Sequence, residues 1–318
     1  MKKFDHKNNV YRIITISLLV MCLLCFNIYA KTIFVDKSGS GDFLTINEGI
    51  TEAEDGDIVQ VRPGDYNEKV ILNKSISLLG SGPNFTKIIS QQEGIKISSN
   101  TTTIVSGFLI TANEEGVYIY DDGIVTEIRN CIITGCSKGV YYDADDKYDD
   151  AKINLINNTF SGNISYAIFF DLYTTYYYDN YYSLIIGNII VNNGYGIATD
   201  FAATIDYNNL YNNTTNYQDN ITPGANNISI DPKFVNQAIG NYTLASDSPC
   251  INTGSPSPER LDPDGTRNDM GAYAGPYVVP FWPYSLQSGG PIITDMTVFP
   301  TSVSKGSKLR IKAKGRLP

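Results

Sequence analysis

Histidine is almost absent from the 318-residue chain, because the one histidine is His6, close to the start. If the first residues are removed on export, the remaining chain contains none. That excludes a Ser-His-Asp triad, a Cys-His dyad and zinc or iron held by histidine. Basic residues are also few: 24 Lys and Arg stand against 33 Asp and Glu, for a net charge of −9. A patch that neutralises phosphates needs clustered Lys and Arg, so the composition argues against a nucleic-acid partner.

Cysteine is scarce as well. After residue 30 the chain contains Cys131, Cys136 and Cys250. An odd count allows at most one internal disulfide, so this is not a disulfide scaffold. Tyrosine is abundant instead, with 23 residues against a single tryptophan.

The first 30 residues have the composition of an export signal. A basic start precedes the apolar run Ile13–Phe26, and Ala30 supplies a small residue for cleavage. The 14 residues of that run are too few to cross a bilayer comfortably, which favours a cleaved signal over an uncleaved anchor. We predict a signal peptide over 1–30, cleavage near Ala30, a secreted or cell-surface location and no transmembrane anchor in the mature chain. Lipidation at Cys25 is a weaker alternative, because a leucine precedes it where a small residue is needed.

One short pattern recurs through the middle of the chain: a strand, an Asn or Gly, a second strand, a Gly-containing turn and a third strand. Runs rich in Ile, Val, Tyr and Phe between Asn and Gly are typical of short strands joined by tight bends. A period of 20–30 residues with three strands per unit predicts an all-β solenoid of parallel coils, about seven in number. The predicted bend residues are Gly107, Asn130, Asn158, Asn188 and Asn208.

A short helix is predicted before the first coil. Thr45 and Glu48 form a capping-box pattern at the start of a helix over 46–53, with Ile46 and Ile50 on one face. A solenoid must hide its first and last edges, so we predict that this helix covers the N-terminal end.

Both ends of the solenoid carry motifs of a known family. The segments Gly41–Ile50, Gly56–Val61 and Pro63–Glu68 are similar to the opening of right-handed parallel β-helix proteins of the pectin-lyase-like superfamily. The segment from Asp231 to Tyr273 is similar to the closing segment of many exported bacterial β-helix proteins. The resemblance implies a right-handed parallel β-helix over about 57–230, with 231–277 as its C-terminal cap.

The same resemblance does not carry an activity with it. The opening is shared with pectin methylesterases, whose Gly-x-Tyr-x-Glu element is present as Gly64, Tyr66 and Glu68. Their later catalytic motifs are missing, and a chain without histidine cannot supply the Gly-His-Gly element of polygalacturonases. Neither activity is therefore expected, because fold alone does not determine function.

Three aspartates are predicted to form a column. Gly139, Ala167 and Gly196 occupy equivalent positions of the third strand, and the three aspartates Asp143, Asp171 and Asp200 each follow one of them by four residues. Equivalent positions stack about 4.8 Å apart in a parallel solenoid. Stacked carboxylates repel unless a cation lies between them, and Ca²⁺ prefers oxygen ligands. These residues are our candidate metal ligands, with Ca²⁺ as the cofactor; the alternative is a solvated acidic edge that keeps the rod soluble.

A loop rich in tyrosine is the candidate ligand-binding segment. Strand alternation sends about half of the strand aromatics into the core, but the tyrosines of 173–182 lie in too polar a segment to be buried together. Exposed tyrosines beside Asp and Asn suit sugar rings, so we predict that they bind polysaccharide; self-packing of the loop is the alternative. The predicted binding residues are Tyr173, Tyr176, Tyr177, Tyr178 and Tyr181.

Catalysis would need a base near the aspartate column. A general base must lie close to the proton that it removes. Lys138 and Arg129 are the candidates, and ordinary surface charge is the alternative for both. With them, the chain would be a Ca²⁺-dependent uronate lyase acting by β-elimination.

Beyond residue 277 the composition changes. Residues 278–291 are rich in Pro, Gly and Ser and are predicted to be a linker, and 292–318 resemble the start of an incomplete Ig-like β module. We expect a monomeric, exported and non-catalytic protein that binds extracellular or cell-surface polysaccharide. The alternatives are the lyase and a structural envelope protein or adhesin.

Overall fold

The computed structural model describes residues 30–98, 100–120, 123–144, 151–172, 183–199, 203–218, 221–278, 292–299 and 310–316. It confirms the predicted fold, a right-handed parallel β-helix of seven coils. Each coil contributes one strand to each of three parallel sheets, which we call sheets 1, 2 and 3 in chain order. Within these described ranges, no helix is both long and apolar enough to span a membrane.

Sheet 1 has eight strands, because β1 precedes the first coil. Its strands are β1 (Thr32–Val35), β2 (Ile58–Val61), β5 (Ser77–Leu79), β8 (Thr102–Ser106), β11 (Ile124–Arg129), β14 (Ala151–Ile156), β17 (Ser183–Ile186) and β20 (Ala203–Asp206). The seven strands of sheet 2 are β3 (Gly64–Tyr66), β6 (Thr86–Ser90), β9 (Leu109–Ala112), β12 (Ile132–Thr134), β15 (Thr159–Ser161), β18 (Ile189–Val191) and β21 (Asn209–Tyr211).

Sheet 3 also has seven strands. They are β4 (Val70–Leu72), β7 (Ile95–Ile97), β10 (Glu115–Tyr120), β13 (Lys138–Ala144), β16 (Tyr166–Leu172), β19 (Tyr195–Thr199) and β22 (Thr215–Tyr217). Two antiparallel pairs follow: β23 (Phe234–Asn236) with β24 (Asn241–Leu244), and β25 (Ile292–Phe299) with β26 (Arg310–Arg316).

The core consists of columns of aliphatic side chains that stack from coil to coil. On sheet 3 one such column is fully buried, and each member would stabilise the rod by about 1.5–3 kcal/mol relative to an exposed position. The alternation also buries Tyr142 and Phe170, as predicted for about half of the strand aromatics. The column is Ile95, Val117, Val140, Ile168 and Ile197.

The bend between sheets 1 and 2 requires a residue in the left-handed region. Gly107 and Asn130 adopt it, with φ of 80° and 50°, as predicted. In the next three coils the bend lies one residue earlier than predicted, at Asn157, Gly187 and Tyr207. The asparagines predicted for those bends are instead fully buried, just inside the corner: Asn158, Asn188 and Asn208.

The predicted N-terminal helix is confirmed as α1 (Ile46–Glu52), with Thr45 as its N-cap. The Glu48 backbone N–H donates to the Thr45 hydroxyl, and the Thr45 N–H donates to the Glu48 carboxylate at 3.1 Å. Glu68 also accepts from the backbone N–H groups of Ile46 and Asn47, at 2.9 and 3.1 Å. These bonds use the free donors of the first turn and fix the helix over the first coil.

The C-terminal segment lies along the flank of the rod. The sequence predicts 231–277 as an end cap, but the last coil is continued by 221–230, where Ile228 bridges to Asn209. Residues 231–278, which we call the strap, run over the outer face of sheet 2. The Ala272 N–H donates to the Thr159 hydroxyl at 3.1 Å, and the Tyr273 hydroxyl reaches Asn84 in the second coil. Among the described residues, the strap contacts sheets 1 and 2, whereas the outer face of sheet 3 carries a row of aromatic side chains.

Candidate functional site

The outer face of sheet 3 carries aromatic side chains at equivalent positions of successive coils. Tyr118, Tyr141 and Phe169 are register partners on β10, β13 and β16. The ring centroids of Tyr118 and Tyr141 are 5.7 Å apart, and those of Tyr141 and Phe169 are 5.3 Å apart, with interplanar angles of 23° and 12°. Neighbouring strands lie about 4.8 Å apart, so the register itself produces this near-parallel stacking.

A second row extends the stack by one coil, from β16 to β19. Tyr166 lies 4.5 Å from Phe169 and 4.9 Å from Tyr195, measured between ring centroids. Neighbouring rings cover the flat faces of the inner members, which therefore present their edges to solvent. The stack ends at Tyr195, because its register partner on the next strand is Thr215, which has no ring. The Tyr195 side chain is 39% exposed. We call these five residues the aromatic ladder: Tyr118, Tyr141, Phe169, Tyr166 and Tyr195.

Two lysines lie against the start of the ladder. The Lys96 ammonium is 5.3 Å from the ring centroids of both Tyr118 and Tyr120. The Lys138 ammonium is 3.8 Å from the Tyr141 ring and forms a 3.0 Å ion pair with Glu115. Cations over aromatic faces are attracted by the ring quadrupole. Both lysines therefore help to hold the rings in place.

Two of the three predicted column aspartates are neighbours. Asp143 and Asp171 are register partners on β13 and β16, as predicted from the strand alignment. The Tyr118 hydroxyl donates to Asp143 Oδ2 at 3.0 Å. Burial, followed by the nearby Asp143 carboxylate, raises the pKa of Tyr118, and burial together with Asp143 and Asp171 raises that of Tyr141. This end of the face therefore favours neutral tyrosines and a negative potential.

The two candidate bases lie on different sheets. Lys138 is on sheet 3, in the same strand as Asp143, and its ammonium is ion-paired. Arg129 ends β11 of sheet 1, where it pairs with Glu127 and lies 3.6 Å from the ring centroid of Tyr277. The structure thus brings Lys138 onto the face of the aspartates and places Arg129 under the strap.

The remaining predicted site residues lie outside the described ranges. The chain enters their segments directly from β16 and β19 of sheet 3. Within the residues that the structure does describe, no group of three or more His, Cys, Asp and Glu side chains could hold a metal ion. Their binding roles stay predictions: Asp200, Tyr173, Tyr176, Tyr177, Tyr178 and Tyr181.

Sequence reasoning missed the last two rings of the ladder, Tyr166 and Tyr195. Tyr166 and Tyr195 share a register with Glu115, Lys138 and Thr215, at the start of each sheet 3 strand. The signal was present, because Tyr166 precedes Ala167, and Tyr195 precedes Gly196, at the positions used to align the aspartates. Alignment of whole strands on those positions would have placed both tyrosines on the outer face.

A cleft lies between the strap and sheet 2. This cleft of about 320 Å³ is lined mainly by apolar groups, including Ile189, Tyr242, Met270 and Tyr273. Asp269 is its acidic residue, and Asp269 Oδ1 accepts the Asn252 backbone N–H at 2.6 Å. Burial raises the pKa of Asp269 to about 6. The cleft therefore contains a carboxyl group that changes charge near pH 6.

Comparison with known proteins gives a family-level match. A family model described as "NosD: Periplasmic copper-binding protein (NosD)" matches residues 26–242. A cell surface glycoprotein of Methanothermus fervidus is 32% identical over 98 residues, which are 30% of this chain and 15% of that protein. The chain thus aligns with a small part of the length of this curated relative.

Solved structures with similar coils include three polysaccharide-active enzymes. A pectin methylesterase in complex with a hexasaccharide is 13% identical with a TM-score of 0.37, covering 59% of this chain and 80% of that chain. A pectate lyase is 10% identical with a TM-score of 0.34, covering 79% and 98%. An alginate lyase from Paenibacillus is 17% identical with a TM-score of 0.29, covering 63% and 95%. At these identities the similarity concerns the fold alone.

Proposed function

The chain belongs to the NosD family, and on that premise we propose that it is an exported β-helix protein of the cell surface that binds polysaccharide on sheet 3. The export signal predicted over 1–30 supports a location outside the cytoplasm. The family description, which is periplasmic, and the relative described as a cell surface glycoprotein support it as well. We propose a non-catalytic role, because the motifs of pectin methylesterases and polygalacturonases are missing from the sequence.

The aromatic ladder is the observation that carries this proposal. Tyrosine combines an apolar ring with a hydroxyl that can hydrogen-bond, which suits a ligand whose surface alternates between apolar and polar groups. A sugar chain has the same alternation of C–H groups and hydroxyls. Tyr195, at the open end, offers the most accessible ring of the ladder, and the tyrosines predicted in 173–182 follow β16 of the same sheet.

Charge favours a neutral polysaccharide over a polyanion. The chain has a net charge of −9, and Asp143 and Asp171 lie beside the ladder. Lys138 is ion-paired with Glu115 and adds no net positive charge to the face, and Lys96 offsets only one of the two aspartates. A negative face repels uronate polymers, so binding of a polyanion would need a bridging cation.

The experiment is a binding assay with a panel of neutral and anionic polysaccharides, by affinity electrophoresis for soluble polymers and by sedimentation for insoluble ones. We expect retention by at least one neutral polymer and its loss in Tyr195→Ala. Phe34→Ala is the matched control, because Phe34 lies on sheet 1 and is 36% exposed. Absence of retention by every polymer, or equal loss in both variants, would refute the proposal.

The register pairing of Asp143 with Asp171 favours one further candidate function, a Ca²⁺-dependent uronate lyase. Paired carboxylates supply the oxygen ligands that Ca²⁺ prefers, and a bound Ca²⁺ would lower the pKa of the substrate C5 proton by Lewis-acid polarisation. Lys138 is the base that this face offers, provided that it leaves Glu115. Incubation with uronate polymers, with calcium or with EDTA, tests this function through the ultraviolet absorbance of the unsaturated product.

A further inference from the structure

The name of the family implies copper, and the donor residues of this chain do not fit it. We infer that the described β-helix does not form a copper site, and that Cys131 and Cys136 instead begin two buried asparagine ladders. Copper is bound in proteins by imidazole, thiolate and thioether groups. The one histidine, His6, lies outside the described residues. Among the described side chains the soft donors are therefore three cysteines and Met270.

Cys131 occupies the first position of a ladder that runs through the corner between sheets 1 and 2. In this ladder each backbone N–H donates to the side-chain Oδ1 of the equivalent asparagine in the next coil. Cys131 donates in this way to Asn158 at 3.0 Å, and Asn158 donates to Asn188 at 2.9 Å. The bond from Asn188 to Asn208 and that from Asn208 to Asn227 are also 2.9 Å. Cys131 is thus held like the asparagines that follow it.

The thiol of Cys131 takes the place of a ladder amide. Asn158 Nδ2 donates to the Ile128 carbonyl at 2.8 Å, and Asn188 Nδ2 donates to the Leu155 carbonyl at the same distance. Val105, Ile128 and Leu155 are register partners on sheet 1. The Cys131 thiol is directed to the Val105 carbonyl at 3.9 Å and donates to the Arg129 carbonyl at 3.3 Å. The sulfur therefore lies beside the same row of carbonyls as the amides, with Val105 at 3.9 Å, while its one hydrogen is closer to the Arg129 carbonyl.

Cys136 has the same role in a second ladder, in the corner between sheets 2 and 3. Its backbone N–H donates to Asn163 Oδ1 at 3.1 Å, and the Asn163 N–H donates to Asn193 Oδ1 at 2.9 Å. The Asn193 N–H continues the ladder to Asn213 Oδ1 at 2.9 Å. The Cys136 thiol donates to the Thr134 carbonyl at 3.6 Å. The two cysteines therefore lie in two different corners of the same coil.

Cys250 lies elsewhere, in the strap. Its sulfur accepts from Asn209 Nδ2 at 3.0 Å, and its backbone N–H donates to the Ser248 hydroxyl at 3.2 Å. Met270 and Ile189 belong to the same small cluster, so this sulfur is surrounded by apolar groups. No third ligand from His, Cys, Asp or Glu completes a site with any of these sulfurs, among the residues described.

The protonation of the thiols points in the same direction. Metals bind the thiolate, whereas a thiol buried in apolar surroundings resists deprotonation. Burial raises the pKa of Cys131 and Cys136 to about 12 and that of Cys250 to about 11. At neutral pH all three remain protonated, and deprotonation of Cys131 or Cys136 would remove the S–H group that each directs to a backbone carbonyl.

Metal binding by the exported protein tests the inference directly. The reduced protein is dialysed anaerobically against Cu(I) and aerobically against Cu(II), and copper is then measured by elemental analysis. We expect no stoichiometric copper and no copper-dependent shift of the unfolding temperature. The thiol reagent DTNB should react with Cys131, Cys136 and Cys250 only after unfolding. Stoichiometric copper that disappears in Cys136→Ala would overturn the inference.

Two substitutions at position 131 test the ladder role separately from copper. Cys131→Asn supplies the amide of the other rungs and is expected to keep or raise the unfolding temperature. Cys131→Ala leaves the row without a donor and is expected to lower it. A Cys131→Asn protein that unfolds at a lower temperature than Cys131→Ala would contradict the rung assignment. Copper binding by the wild-type protein that is lost in Cys131→Asn would contradict the absence of a copper site.

Discussion

The Tyr118 hydroxyl donates to Asp143 Oδ2 at 3.0 Å, and this bond joins the aromatic ladder to the acidic pair across one coil. The acceptor carboxylate is itself the register partner of Asp171. The bond therefore directs a proton donor to one of two carboxylates on adjacent strands. Any cation held by Asp143 would have to share that carboxylate with Tyr118.

Tyr118→Phe tests the contribution of this bond to stability. The bond is partly buried, so we expect a loss of about 1 kcal/mol in the free energy of unfolding, measured by urea denaturation. Asp143→Asn still offers an acceptor and should cost less. A double-mutant cycle of Tyr118→Phe with Asp143→Ala, which removes the acceptor, isolates the pair, and additive losses would show that the bond contributes nothing.

Asn188→Ala tests the asparagine ladder at its centre. Asn188 is fully buried; its Oδ1 accepts the Asn158 backbone N–H and its Nδ2 donates to the Leu155 carbonyl. Its removal leaves that buried N–H without an acceptor and takes a donor from that carbonyl, while Asn158 Nδ2 keeps its bond to the Ile128 carbonyl. We expect a loss of about 3 kcal/mol in the free energy of unfolding. The control is Asn113→Ala, because the Asn113 amide pairs with Gln91 at the surface. Equal losses in the two variants would contradict a structural role for the ladder.

Asp269 makes the stability of the strap depend on pH. Its pKa is raised to about 6 in the folded protein, mainly by burial and also by the Asp262 and Asp264 carboxylates, while the Asn252 N–H acts in the opposite direction. A carboxyl whose folded pKa exceeds its unfolded value stabilises the fold at low pH. That stabilisation is lost as the pH rises from about 4, the usual unfolded value, towards about 6.

Asp269→Asn should therefore remove part of this pH dependence. Relative to the wild type, the variant gains stability as the pH rises from 4 to 7, measured as the difference in unfolding temperature at each pH. Asp264→Asn is the control, because hydrogen bonds from Thr266 lower the pKa of the exposed Asp264. A difference between Asp269→Asn and wild type that does not change with pH would contradict the assignment.

Tyr273→Phe tests the contact between the strap and the second coil. The Tyr273 hydroxyl donates to Asn84 Oδ1 at 2.5 Å across 189 residues of sequence. We expect a loss of about 1 kcal/mol in the free energy of unfolding and faster hydrogen exchange at Ala272 and Ala274. The same change combined with Asn84→Ala should add little further loss. A full second loss would show that the two side chains act independently.

The lyase alternative predicts a calcium requirement that depends on the acidic pair. If sheet 3 is catalytic, ultraviolet absorbance on a uronate polymer should rise with calcium, stop with EDTA and fall strongly in Asp171→Ala. Glu127→Gln is the control, because Glu127 lies on sheet 1 beside Arg129. Activity that survives Asp171→Ala would exclude the acidic pair as the calcium site.

The sequence was sufficient to predict the elements whose signal is local. The capping box of Thr45 and Glu48 predicted α1. Alignment of the third strands on Gly139 and Ala167 predicted the pairing of Asp143 with Asp171. These predictions succeeded because capping and strand alternation depend on neighbours in the sequence.

The features that sequence analysis missed depend on contacts between distant residues. Asn158 and Asn188 have the composition of bend residues, yet they follow the bend and fill the corner, because their amides can bond to the next coil. The position of the strap is fixed by partners such as Thr159 and Asn84, which precede it by more than a hundred residues. No short pattern in the sequence specifies such a partner.

The strap also changes how the coils can come apart. In a solenoid each coil contacts its neighbours alone, so stability is nearly a sum of local terms and terminal coils fray independently. The strap joins the last coil to the second. Any of the coils between them can therefore fray only if contacts of the strap with the rod break as well. We expect the rod to unfold in a single cooperative transition, and to fold slowly because its C-terminal contacts close such long loops.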